Sequence, residues 1–115
     1  MKSGDIDPVS AALLLIDTQN DTLHPDGAFG RAGQLAPEAA SLAQRLKPTV
    51  DLVRSAGGWI ISTLFTLVSD RSGEPFMTDT MRSMRPFLRK GDFVPGTWGH
   101  RLVEPLAPAD IIVEK

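Results

Sequence analysis

Apolar residues fill every position from Ala11 to Ile16 before Asp17 interrupts them. A short unbroken apolar run closed by a polar residue fits a strand buried on both faces, as in a parallel sheet. Asp17 to Gly33 is rich in Asn, Asp, Gly and Pro and reads as a long loop. A turn is expected within it at His24-Pro25-Asp26-Gly27, where proline fixes φ and glycine permits φ > 0. Between Glu38 and Ala56 the period changes. Leu42, Leu46, Val50 and Val53 recur at helical spacing and make one apolar stripe. Pro48 lies inside that stripe, which predicts either a kink or a second helix with Pro48 in its first turn. Gly57-Gly58 ends the helix, and Trp59 to Phe65, β-branched and aromatic, follows as a second strand.

Ser69 to Gly73 is a polar loop. From Pro75, the residues Met77, Met81, Met84 and Leu88 again recur at helical spacing and predict a helix with a core-packing methionine stripe, its last turn disturbed by Pro86. Gly91 to Gly99 is a loop, and Thr97 is placed to cap a short helical turn reaching Val103. Ile111-Ile112-Val113 forms a third strand, closed by Glu114 and Lys115. Strand, helix, strand, helix, strand implies parallel pairing through right-handed crossovers. The expected fold class is α/β: a doubly wound, Rossmann-like parallel sheet with helices on both faces, in three layers α/β/α. Residues 1–115 supply the first three strands of one such domain. A third strand with nothing beyond it leaves an open edge, so the domain is expected to be incomplete or completed by another polypeptide.

Composition narrows the function. The formal charge of −2 offers no basic field to nucleic acid or an anionic membrane, and 42% apolar residues can supply a core. Arg82, Arg85, Arg89 and Lys90 cluster where a helix should end, and read as a solvated face complementing its dipole. The chain contains no cysteine, hence no disulfide, thiolate ligand or thiol chemistry within these residues. The opening MKSGDIDPVS has acids and a proline where a leader needs basic residues and an apolar run. No apolar stretch approaches the roughly 20 residues of a spanning helix. A cytoplasmic protein is expected, acting on a small molecule, with neither nucleic acid nor membrane as partner.

Ligands of open parallel sheets bind beyond the carboxyl ends of the strands. Asp17 and Lys115 occupy those ends after the first and third strands, with Thr63 to Thr66 at the tip of the second. Brought together, such a pair could serve as an oriented base. Spacing alone leaves open that Asp17 closes a turn and that Lys115 is simply exposed.

The run Leu14-Leu15-Ile16-Asp17-Thr18-Gln19-Asn20-Asp21, followed by His24-Pro25-Asp26-Gly27-Ala28, resembles the first motif of the isochorismatase-like cysteine hydrolases. Gly57-Gly58-Trp59-Ile60-Ile61 is similar to that family's intervening strand. Gly96-Thr97-Trp98-Gly99 through Leu106-Ala107-Pro108 to Asp110-Ile111-Ile112-Val113-Glu114-Lys115 is similar to its second motif. The resemblance implies an Asp–Lys–Cys triad that hydrolyses a C–N bond of a small amide or ureide. Asp17 would be the general base, and Lys115 would hold it in its ionised form and help stabilise developing negative charge. The cysteine would lie beyond this chain, with backbone N–H groups around it as oxyanion hole. Gln19, Asn20 and Trp98 are the substrate-binding candidates, together with Thr22, where relatives often carry a pocket-lining phenylalanine.

The nicotinamidase branch carries an Asp-x-His and a further His in and after the second strand, where Thr63 to Asp70 here has no histidine. The two histidines, His24 and His100, lie far apart without ligand spacing. The expectation is therefore the metal-independent amidohydrolase branch, with no metal. Gly27, Gly30 and Gly33 stand in the wrong context for a dinucleotide loop, so no cofactor is implied. Family members are commonly homo-oligomers, and an open sheet edge points the same way. Isochorismatase-type ether cleavage and a non-catalytic binding or assembly module with the same fold are the alternatives.

Overall fold

The computed structural model describes residues 5–115; residues 1–4, which begin the segment read above as lacking a leader, lie outside the described residues. A 3-10 turn at Pro8–Ser10, capped by Asp7, leads into strand β1, Ala12–Ile16. Strand β2 is Trp59–Leu64 and strand β3 is Ile111–Glu114. The three pair in parallel in the order β1-β2-β3, with Leu13 opposite Ile60 and Ser62 opposite Ile112. This is the α/β class with the three strands the apolar runs predict.

The long helix, α3, runs from Ala39 to Ser55 and is a single helix through Pro48. Of the two expected outcomes, the separate second helix does not form, for a physical reason. Val50 is fully buried and joins Val53, Leu15, Leu23, Ile60, Val103 and Leu106 in the main core, with Leu42 and Leu46 packed against it. Pro48 sits on the exposed side, and its missing N–H frees only the carbonyl of Gln44, an exposed residue that water can serve. Gly57 ends the helix at φ 85°, as expected.

α3 covers the face of the sheet that carries Leu15 and Ile60. The opposite face, bearing Leu14, Ile16, Trp59, Ile111 and Val113, is apolar and exposed among the described residues. Parallel sheets are ordinarily covered on both faces.

The segment after β1 is more ordered than a loop. It holds two single-turn helices, α1 (Asn20–Leu23) and α2 (Ala28–Arg31). Gly27 between them has φ −79°, so its role is not a positive φ. A Cβ there would collide with the Asn20 carbonyl oxygen, and glycine serves close backbone approach instead.

The methionine helix is shorter than its periodicity suggests. α4 spans only Asp79–Met84. Upstream, Pro75 bridges to Ser69 and Phe76 N donates to Val68 O, so the chain is still extended there. Thr78 then caps the helix, its Oγ1 accepting from Met81 N. Downstream, Arg85 precedes Pro86, which disfavours the helical region, and Arg85 has left it at φ −133°. Thr97 does not cap a helix: its hydroxyl donates to the Val94 carbonyl at 2.6 Å, and the nearby 3-10 helix forms later, at Glu104–Leu106.

Candidate active site

The carboxyl ends of β1 and β3 bring Asp17 and Lys115 together. Lys115 Nζ donates to Asp17 Oδ2 at 3.1 Å across 98 positions of sequence. Thr63 Oγ1, at the end of β2, donates to Asp17 Oδ1 at 3.3 Å. All three strands thus contribute one group each. Asp17 itself has φ 57°, a left-handed conformation that aspartate tolerates better than most residues. Its N–H donates to the Thr63 carbonyl, which holds that turn in place. Lys115 is fixed through its backbone as well. Its N–H donates to Leu64 O, and its carbonyl accepts from Thr66 N.

Asp17 opens on a cavity of about 410 Å³. Phe29, Phe65 and Phe93 form an aromatic wall, with Phe93 edge-to-face against Phe65 at 5.0 Å and against Phe29 at 6.2 Å. Thr22, Met81, Met84, Arg85 and Leu88 complete the lining. Met81 and Met84 therefore face this cavity, while Leu88 is buried in a second core with Ala28, Leu67 and Phe93. Phe93 is the other non-glycine residue with positive φ among the described residues, at 54°. Both such residues border the same cavity.

The substrate-binding candidates are distributed unevenly. Thr22 lies in the cavity with Asp17. Gln19 is completely buried and fully engaged. Its amide donates to Phe65 O and His100 O, both at 2.9 Å, and its oxygen accepts from Phe65 N at 2.7 Å. It positions the cavity wall and has no free donor for a ligand. Asn20 and Trp98 line a different groove of about 560 Å³, between α3 and residues 98–107. Asn20 Nδ2 is committed to Trp98 O at 2.8 Å.

Two further acids have structural roles that the sequence did not assign. Asp21 is 3% exposed and accepts from Ala28 N at 2.9 Å and Phe93 N at 2.8 Å. It lies so close to Gly99 that a Cβ there would collide with its carboxylate. Asp92 is also buried and pairs with Arg31 at 2.6 Å. A buried carboxylate requires such partners, but spacing along the chain gives no sign of which Asp is buried.

His100, also buried, meets Thr66 Oγ1 through Nε2 at 2.9 Å. Thr66 Oγ1 also meets the Leu64 carbonyl at 3.1 Å. Burial pushes the imidazole pKa below its ordinary 6.5, against the opposing pull of Glu114 and Asp21. The unfolded state then binds more protons than the folded one just below pH 6.5. Stability is therefore complete above that pH and falls as acid is added through it. Thermal midpoints should drop between pH 7 and pH 5, and His100→Gln should flatten part of that slope. An unchanged slope in the variant would remove His100 as its source.

Among the described residues, no group of three or more His, Asp or Glu converges as a metal site requires, and no helix is long and apolar enough to cross a membrane.

Comparisons with known proteins place the fold. The chain is similar to a cysteine hydrolase from Pseudomonas syringae pv. phaseolicola 1448A, at 23% identity and a TM-score of 0.69, covering 96% of this chain and 48% of that one. It is similar to the N-carbamoylsarcosine amidase of Thermoplasma acidophilum, at 17% identity and a TM-score of 0.62, covering 92% and 51%. The pyrazinamidase of Pyrococcus horikoshii, solved in complex with zinc, gives 21% identity and a TM-score of 0.57, covering 90% and 50%. The chain thus spans about half the length of the solved structures it matches. No curated protein matches it significantly. Residues 11–115 match the model of the isochorismatase domain, and the chain belongs to the isochorismatase family of hydrolases.

Proposed function

We propose that this protein provides the Asp–Lys half of a metal-independent cysteine hydrolase that cleaves a C–N bond of a small amide or ureide. The observation that carries the reading is the 3.1 Å contact of Lys115 with Asp17 at the strand ends, opening on a small apolar cavity. The nucleophile is a cysteine from outside these 115 residues, which contain none. The exposed apolar sheet face supports completion by further polypeptide, since such a face is normally covered.

Asp17 takes the proton of the attacking thiol as sulfur bonds to the carbonyl carbon. The tetrahedral oxyanion collapses, the C–N bond breaks, and the proton passes from Asp17 to the leaving nitrogen. Water then adds to the thioester, Asp17 accepts its proton, and the S–C bond breaks to restore the thiol. Lys115 orients the carboxylate and places positive charge beside the charge that develops. Thr63 holds the second carboxylate oxygen.

The test is ammonia release by the full-length protein from pyrazinamide, N-carbamoylsarcosine and related small amides and ureides. Hydrolysis that survives chelation and dialysis unchanged is expected; activity lost on chelation and restored by zinc would reject the metal-independent assignment. Cleavage of an ether substrate with no nitrogen released from any amide would favour isochorismatase-type chemistry. A full-length protein without any cysteine would leave a non-catalytic module.

A further inference from the structure

The cavity beside Asp17 contains a cation that the proposed bond cleavage does not use. Arg85 lines it, with the guanidinium carbon 5.7 Å from the Phe29 ring centroid. Its hydrogen bond runs from Nη1 to the Met84 carbonyl at 3.2 Å. The ion pairs of the described residues join other groups, and Arg85 takes part in none of them. A guanidinium laid over an aromatic face is held in orientation while its N–H edge stays free to meet a planar anion. Arg82, Arg89 and Lys90, its neighbours in the basic cluster, do not line the cavity.

Charge and size narrow the ligand. Arg85 is a cation lining the cavity without an ion-pair partner among the described residues, whereas the charge of Asp17 is paired with Lys115, so an anionic group is drawn to Arg85. A ligand carrying one negative charge would place its anionic group at Arg85 and leave its neutral carbonyl for Asp17, which lines the same cavity. A single arginine suits a carboxylate, which it can grip with two parallel hydrogen bonds. The remaining walls include Phe29, Phe65, Phe93, Met81 and Leu88, which favour an apolar body. At about 410 Å³ the cavity lies near the small end of the roughly 300–1,000 Å³ typical of small-molecule sites.

We propose that Arg85 is the specificity-determining residue of this cavity, and that the substrate is a small amide or ureide bearing a carboxylate on a compact apolar body. The scissile bond in that statement rests on the hydrolase reading; the anion subsite does not.

Calorimetric titration of the full chain with benzoate and with benzamide, its uncharged counterpart, separates the two. Benzoate should bind about tenfold more tightly or better, the size of effect a charge-assisted pair provides. That preference should shrink as salt is raised. Arg85→Met should bring the two ligands to within about twofold of each other, whereas Arg85→Lys, which keeps the charge but loses the fork, should retain part of the difference. Equal binding by the wild type overturns the proposal, as does a preference that persists in a folded Arg85→Met. If Arg85→Met does not fold, a benzoate preference insensitive to salt overturns it. A protein that hydrolyses no amide yet keeps its Arg85-dependent benzoate preference refutes the hydrolase reading and leaves this one standing.

Discussion

Asp17→Asn should lower amide hydrolysis by the full-length protein roughly 10²–10⁴-fold, the usual contribution of a positioned general base. Asparagine keeps the size of the side chain and an acceptor for Thr63 Oγ1, but cannot take a proton. The fold should survive. The Lys115–Asp17 pair is partly exposed on both sides, at 48% and 32%, and such pairs contribute only about 0–1 kcal/mol to stability. Lys115→Ala should fall in the same activity range for a different reason, since the carboxylate loses its orienting partner. The measurement is kcat/KM for ammonia release, with circular dichroism to show that each variant is folded. A folded Asp17→Asn retaining a tenth or more of wild-type activity, well above the roughly hundredfold minimum loss expected, would remove Asp17 from the chemistry.

Asp21→Ala should have the opposite signature, a large loss of stability from a residue only four positions along the chain. Its carboxylate satisfies Ala28 N and Phe93 N in a buried setting. Removing it strands two donors at about 1–3 kcal/mol each, against a total stability of about 5–15 kcal/mol for an ordinary domain. Asp21→Asn should also destabilise, because an amide offers one oxygen where two N–H groups need acceptors. Urea unfolding should show a clear drop in midpoint for both variants, larger for alanine. An unchanged midpoint for Asp21→Ala would mean that neither bond contributes. The cavity should suffer too, since the Asp21 bond to Phe93 N anchors part of its wall.

The contrast between these two acids shows what was legible in the chain. The strands were, because continuous apolar runs such as Ala11 to Ile16 have few other homes. The Asp17–Lys115 pairing was legible through strand ends and motif together, and the structure brings the two residues into contact. Helix α4 was only partly legible. The methionine spacing was real, but the extended Phe76 and the proline after Arg85 confine the helix to Asp79–Met84. Its methionines face a cavity rather than a continuous core, a distinction that periodicity cannot draw.

The cavity itself was hidden for a related reason. Phe29, Phe65, Phe93 and Arg85 come from four separate segments, and no local pattern marks residues that meet only in three dimensions. Arg85 in particular read as part of a solvated cluster, while the turn imposed by Pro86 carries it over Phe29. Gln19 shows the same limit. It sits in the motif next to Asp17, yet its hydrogen bonds all go to backbone of the wall and of the 98–102 segment. A buried amide satisfied on both ends is structural, and only geometry reveals that.

The central claim is an acyl-enzyme hydrolase working through Asp17 and Lys115. Its most direct test is partitioning with hydroxylamine during turnover of an amide by the full-length protein. The account predicts that hydroxamate appears at the expense of carboxylate as hydroxylamine is raised, and that Asp17→Asn yields neither product. Ammonia release accompanied by carboxylate alone, at every hydroxylamine concentration, would contradict it.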